Sequence, residues 1–180
     1  MEKIIIFLLI SLVSCQSGNV KRELVKFVGQ EIVVPEGLQG TVNGRDSLVA
    51  GFLDADMKLV VFYDSVGCSS CRVSHMYEWQ DVITYSEHMG ARFKTIFIFA
   101  PKESAYNELR ISLRGSQMDY PMFIDRAGEF LKRNPAIPAD SRFHTFLLDK
   151  NNKVVMVGNP ANNDQLWNLY KDQIRELSAQ

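Results

Sequence analysis

Five consecutive apolar residues, Leu59-Val60-Val61-Phe62-Tyr63, run up to the cluster Cys68-Ser69-Ser70-Cys71, and this junction restricts the chain more than any other feature. An apolar run without polar alternation reads as a strand covered on both faces, so other elements must lie on each side of its sheet. Beyond the cysteines, Val73, Met76, Tyr77, Trp79 and Ile83 fall within one side of a 3.6-residue wheel, which predicts a helix from Ser69 to about His88. A second strand over Phe93–Ala100, ended by Pro101, and a helix over Ser104–Arg114 carrying Tyr106, Leu109 and Leu113 continue the alternation. Strand, helix, strand, helix implies parallel pairing through right-handed crossovers.

The flanks complete the pattern. Leu24 to Val34 has strand-like content, and an N-terminal hairpin or edge strand is expected there. Pro121 to Ile124 is a short strand-like piece, and Pro135 and Pro138 bracket an irregular connection. Thr145–Leu148 and Val154–Val157, separated by Asp149-Lys150-Asn151-Asn152-Lys153, predict an antiparallel hairpin. Asn163 or Asp164 can cap a last helix with its apolar stripe at Leu166, Tyr170, Ile174 and Leu177. The expected class is α/β, one domain with a central mixed sheet flanked by helices. Hydrophobic residues at 46% and charged ones at 23% exclude a disordered or collagen-like chain, and 20 basic against 21 acidic residues leave no electrostatic reason to expect a nucleic-acid partner.

The N-terminus reads as an address. Ten residues from Ile4 to Val13, apolar except Ser11, follow Lys3 and are too few to span a bilayer but typical of a secretory signal. Leu12-Val13-Ser14-Cys15 resembles the lipobox of bacterial lipoproteins, which implies cleavage before Cys15 and lipidation of that cysteine. The expected organisation is a signal peptide over 1–14, a lipidated Cys15 with a polar tether over 15–23, and the folded domain over 24–180. The mature protein is then expected in the bacterial cell envelope, anchored to a membrane through lipid and facing the periplasm. With Cys15 set aside, Cys68 and Cys71 remain as a pair in an oxidising compartment.

A C-x-x-C placed after a buried strand, at the first turn of a helix, sets two sulfurs within bonding reach. It puts Cys68 near the cap, where free N–H groups favour a thiolate. Cys68 is the expected nucleophile, and Cys71 the thiol that resolves the mixed disulfide. On KLVVFYDSVGCSSC, on the β-α-β order before a β-β-α end, and on FHTFLLDKNNKVVMVGNP, the chain resembles the thioredoxin-like thiol-disulfide oxidoreductases, membrane-tethered lipoproteins among them. The resemblance spans roughly residues 24 to 178 and implies redox roles for Cys68 and Cys71. It also implies protein dithiols or disulfides as partners, together with an electron donor, and neither cofactor nor metal.

Three positions depart from that pattern. Gly67 stands where many relatives have an aromatic residue, with Ser69-Ser70 between the cysteines. Phe62 occupies the place of a buried acid, leaving Asp64 as a nearby candidate. The family's cis-proline falls at Phe143 or His144, where trans bonds are expected because a non-proline cis bond costs about 3 kcal/mol. The resemblance makes this loop the substrate platform, so Phe143 and His144 are candidate substrate-binding residues, with a His144 imidazolium favouring the Cys68 thiolate.

Other chemistries compete for the same residues. Ser65-x-x-Cys68 resembles the Thr/Ser-x-x-Cys of peroxiredoxins, although Val61 stands where they have proline. A metal carrier would join Cys68 and Cys71 to His144, and a binding lipoprotein would keep the fold with a structural disulfide. His75 and His88 are expected to be solvated, Arg72 to lie on the helix surface, and Met76 and Trp79 to face the core.

Overall fold

The computed structural model of the chain describes residues 20–49 and 51–179. The expected signal peptide and Cys15 lie outside them. Seven strands form one sheet: β1 (Gln39–Val42), β2 (Arg45–Asp46), β3 (Met57–Tyr63), β4 (Phe93–Phe99), β5 (Met122–Ile124), β6 (Thr145–Leu148) and β7 (Val154–Val157), in the order β2-β1-β5-β4-β3-β6-β7. β3, β4 and β5 run parallel, whereas β1, β6 and β7 pair antiparallel to their neighbours. The sheet is therefore mixed, as the sequence predicts.

β3 is buried on both faces because its side chains alternate between two cores. Leu59 and Val61 join Phe97, Val73, Trp79, Leu109, Tyr170 and Ile174 on one side, and Val60 and Phe62 join Ile96, Phe130, Phe143 and Phe146 on the other. The first core is closed by helices α2 (Ser69–Ser74), α3 (Gln80–Met89), α4 (Tyr106–Gly115) and α6 (Asp164–Ser178). Both crossover segments thus pack on one face, as two steps of the same hand in one direction across a sheet require. The second core is covered by a helix over 20–27 (α1), by α5 (Glu129–Arg133) and by the connection that follows it.

Two sequence expectations are corrected, and one element is added. Residues 24–34 form no strand: α1 carries Phe27 into the core with Val20 and Leu24 packed beside it, and Val25 and Val28 are exposed. The spacing i, i+4, i+7 overrides the β-branched content. Only Glu31 makes a bridge, to Lys153. The helix expected over 69–88 is interrupted: α2 ends at Ser74 with His75 as its C-cap, a 3₁₀ turn spans Met76–Trp79, and α3 follows. This break resolves the imperfect wheel, since it turns Met76 and Trp79 inward and leaves Arg72 and Gln80 in solvent. Finally, β1 and β2 form a hairpin through Asn43-Gly44, with φ of 50° and 64°, where the sequence reading placed no element. A two-residue turn with both φ positive matches the twist of its strands and is the reason for the Asn-Gly pair. Gly44 packs so closely on α4 that a Cβ would sit 2.6 Å from Arg114 N.

The predicted β6–β7 hairpin is present, with the Asp149 carboxylate accepting the Asn151 and Lys153 N–H groups at 2.9 Å each. Asn163 caps α6, accepting the Leu166 N–H at 3.0 Å. Asn134 fastens the segment after α5 to the N-terminal stretch: its amide donates to the carbonyls of Val33 and Phe130 at 2.8 and 2.7 Å and accepts the Val33 N–H at 2.8 Å.

Candidate active site

β3 ends at Tyr63, and the chain crosses to α2 in five residues. Asp64 folds this crossing by accepting the N–H groups of Val66 and Gly67 at 3.0 and 3.3 Å. Cys68 is then the N-cap of α2, and its Sγ accepts the Cys71 N–H at 3.2 Å. Cys68 and Cys71 are joined as a disulfide, with Cα atoms 5.3 Å apart. α2 has only six residues, so the N–H of Cys71, rather than a long helix dipole, is the particular group that favours negative charge on Cys68. Both cysteines are exposed, so exposure does not separate the two thiols. Cap geometry does.

The serines between the cysteines take different roles. Ser69 is buried, whereas Ser70 Oγ lies 3.2 Å from Cys68 Sγ and donates to Glu108 Oε1 of α4 at 2.6 Å. The hydroxyl beside Cys68 is therefore that of Ser70, and Ser65 is exposed with no such contact. Neither Ser70 nor Glu108 is singled out by sequence, because a polar residue on an exposed helix face carries no pattern.

Arg72 lies beside Gly67, its Nε and Nη2 3.8 Å from where a Cβ would stand, which is ordinary contact distance. The same guanidinium sits 5.7 Å from the Tyr63 ring centre. Burial pushes the Tyr63 phenol up to about 12, so it stays neutral at any working pH.

A cleft of about 440 Å³ opens beside this turn, walled by Asp64, Gly67, Ser69 and Arg72 on one side and by Ser141, Arg142, His144 and Asn159 on the other. Arg142 is tied to Asp140, its Nε donating to the two carboxylate oxygens at 3.0 and 2.9 Å, and this holds the Asp140 carboxyl at about 2. His144 is 4% exposed and donates from Nε2 to the Pro138 carbonyl at 2.9 Å. That bond places a proton on Nε2, while Nδ1 is buried and without a hydrogen bond, 3.7 Å from Asp64 Oδ2.

Phe143 turns into the second core. The peptide bonds here are trans, as among all the described residues. The N–H groups of Phe143 and His144 bond to Asp140 O and Ser141 O at 3.0 and 3.1 Å, and His144 O accepts the Phe62 N–H at 2.8 Å. These residues therefore offer an incoming chain a wall rather than a free strand edge. His75 and His88 are exposed as expected, the first paired with Glu78 at 3.0 Å and the second bonded to Thr84 O at 2.7 Å. Among the described residues no cluster of three or more His, Cys, Asp or Glu side chains is placed to hold a metal ion.

No protein-family model and no curated protein matches the sequence. Solved structures do match its fold. The chain is similar to a candidate protein disulfide isomerase of Bacteroides thetaiotaomicron, with a TM-score of 0.53 and 19% identity over 85% of this chain and 94% of that one. It is also similar to a candidate thiol:disulfide interchange protein, DsbE, of Chlorobium tepidum, with a TM-score of 0.53 and 15% identity over 82% and 97% of the respective chains. AhpC of Mycobacterium tuberculosis superposes less well, with a TM-score of 0.44 and 16% identity over 84% and 96%. With the mixed sheet, the covering helices and the bonded pair at the end of its central strand, the chain has the thioredoxin-like fold.

Proposed function

We propose that the protein is a thiol-disulfide oxidoreductase of the bacterial cell envelope, exchanging disulfides with protein partners through Cys68 and Cys71. The observation that carries this reading is an exposed disulfide closing a turn of four residues, with a backbone N–H aimed at the sulfur of Cys68. A disulfide across so short a loop constrains the unfolded chain little, so it serves poorly as a staple and well as a reagent. Substrate thiolate attacks the disulfide, the Cys68–Cys71 bond breaks, and a second substrate thiol completes the exchange. The reverse sequence reduces a substrate disulfide. Two similar structures bear the names of a candidate disulfide isomerase and a candidate interchange protein, and these names agree with the reading.

The cleft beside Gly67 is the place for the substrate segment next to its sulfur, with His144 in the wall and Phe143 holding that wall to the core. The test is the redox equilibrium of the pair against glutathione, followed by capture of partners with Cys71→Ser. In the reduced protein, peptide-resolved alkylation near neutral pH is expected to label Cys68 before Cys71, because the thiolate is the reacting species. Faster labelling of Cys71 reverses the roles. Hydrogen peroxide consumption in place of protein disulfide exchange would move the assignment to a peroxidase, and a pair that fails to reoxidise in the folded state would leave a binding protein.

The anchor belongs to the same proposal. Leu12-Val13-Ser14-Cys15 supports lipidation of Cys15 and a periplasm-facing tether. Cys15→Ser is expected to release soluble protein or leave unprocessed precursor in fractionated cells, and wild-type protein found in the cytoplasm with Met1 retained would defeat the reading.

A further inference from the structure

We propose that Glu108 is a positioning residue that sets the acidity of Cys68 through Ser70; this rests on Cys68 being the reactive thiol. The contact runs from Cys68 Sγ to Ser70 Oγ at 3.2 Å and from Ser70 Oγ to Glu108 Oε1 at 2.6 Å. A serine hydroxyl has a single proton to donate, and a carboxylate is the stronger acceptor. Ser70 therefore donates to Glu108 and turns only lone pairs toward the sulfur. In the disulfide Sγ carries no proton either, so no hydrogen lies between the two atoms.

On reduction the two states of Cys68 meet this oxygen differently. A thiol donates S–H to Ser70 Oγ and extends the chain of donors to Glu108. A thiolate faces a lone pair with a carboxylate charge behind it, which disfavours the charged form. Glu108 thus opposes the Cys71 N–H, which favours the thiolate. The other charged groups around the turn are Arg72, folded over Gly67, and Asp64, which accepts the Val66 and Gly67 N–H groups and faces His144. On α4 the neighbouring cations are directed away, Arg110 to Asp46 and Arg114 to the Gly44 carbonyl, so they do not offset Glu108 at Ser70.

Above the Cys68 pKa the reduced pair carries a thiolate, so there a less stabilised thiolate is a less stabilised reduced pair. Glu108 consequently biases the pair toward giving up electrons: the two thiols pass two electrons and two protons to a substrate disulfide, which leaves as two thiols while Cys68 and Cys71 rejoin. The substrate class this favours is a protein disulfide awaiting reduction, with a dithiol donor restoring the pair.

The experiment uses the full-length protein reduced with dithiothreitol, with the alkylation rate of the Cys68 peptide followed from pH 5 to 10. Glu108 is exposed, so its variants retain the fold. Glu108→Gln keeps an acceptor for Ser70 while removing the charge, and Glu108→Ala frees the hydroxyl. Both are expected to lower the apparent Cys68 pKa by about 0.5 to 1 unit, a solvent-screened share of the shift that a nearby like charge produces. Above both pKa values, in buffer of about pH 9.5, the equilibrium with glutathione should move about three- to tenfold toward the dithiol, the upper figure corresponding to about 30 mV. In a Ser70→Ala background the Glu108→Gln shift should fall to less than half. A pKa unchanged within about 0.2 units, or an equal shift with and without Ser70, overturns the proposal. The alkylation profile needs no turnover, so a pair that proves unable to exchange with protein disulfides fails the proposed function and not this measurement.

Discussion

Cys68→Ser is expected to slow exchange with a protein disulfide by at least about a thousandfold, and the Cys68→Ser/Cys71→Ser double variant by no more, because groups that act as one unit do not add. Cys71→Ser should also lose turnover, but by a different route: Cys68 still attacks, and the mixed disulfide accumulates because nothing resolves it. The fold survives all three. In the chain-entropy account, cross-linking a loop of four residues contributes about 2 kcal/mol, well inside the stability of an ordinary domain. Circular dichroism and urea unfolding of the variants therefore separate lost chemistry from lost structure. Cys68→Ser protein within tenfold of the wild-type rate would hand the nucleophilic role to Cys71, which is equally open to solvent.

The contrast with Glu108 is one of kind. Removing a sulfur removes the reaction, whereas removing the carboxylate behind Ser70 changes the fraction of thiolate by a few-fold and leaves the pathway intact. An account in which the pair is a structural staple makes the opposite forecast: little change in any exchange rate, and the whole effect in stability.

Legibility in the sequence followed the strength of the local signal. β3 and β4 were readable because unbroken apolar runs have few other homes, and the β6–β7 hairpin because Asp149 supplies its own turn hydrogen bonds. The segment 24–34 reads as strand because Val25 and Val28 weigh toward β structure, yet both are exposed, and it is Val20, Leu24 and Phe27 that face the core from α1. The β1–β2 hairpin was signalled by Asn43-Gly44, a strong two-residue turn pair, but β2 is only two residues long and brings no apolar run to attract notice. At the site, the cysteines announced themselves by spacing. Ser70 acquires its meaning only from Glu108, 38 positions later, and α4 reaches it through packing that no local pattern encodes. His144 was legible as a residue and not as a state, since its burial depends on the Pro138 carbonyl six residues earlier.

Phe62→Asp is expected to lower stability by more than the roughly 3 to 5 kcal/mol typical of Phe→Ala, because it adds a buried carboxyl to a cavity. Phe62 is 3% exposed and packs against Phe130 and His144 with ring centres 5.0 and 5.2 Å away. The resemblance to thioredoxins would place an acid at this position to serve the resolving thiol. Here Cys71 is exposed, so solvent can accept the proton that the resolving thiol gives up, and an aromatic ring can hold the position. The pH dependence has a definite sign. Burial raises the folded-state pKa of an Asp at 62 above its unfolded value of about 3.9, so its extra penalty is absent below that value and grows as pH rises toward the folded pKa. Phe62→Asn has the same shape and does not ionise, so the two variants should share a urea midpoint near pH 3.5, with Asp falling behind Asn at pH 7.5. Equal midpoints at both pH values would mean that position 62 is wet enough to carry a charge, and the exposed Cys71 would then no longer account for the aromatic residue found there.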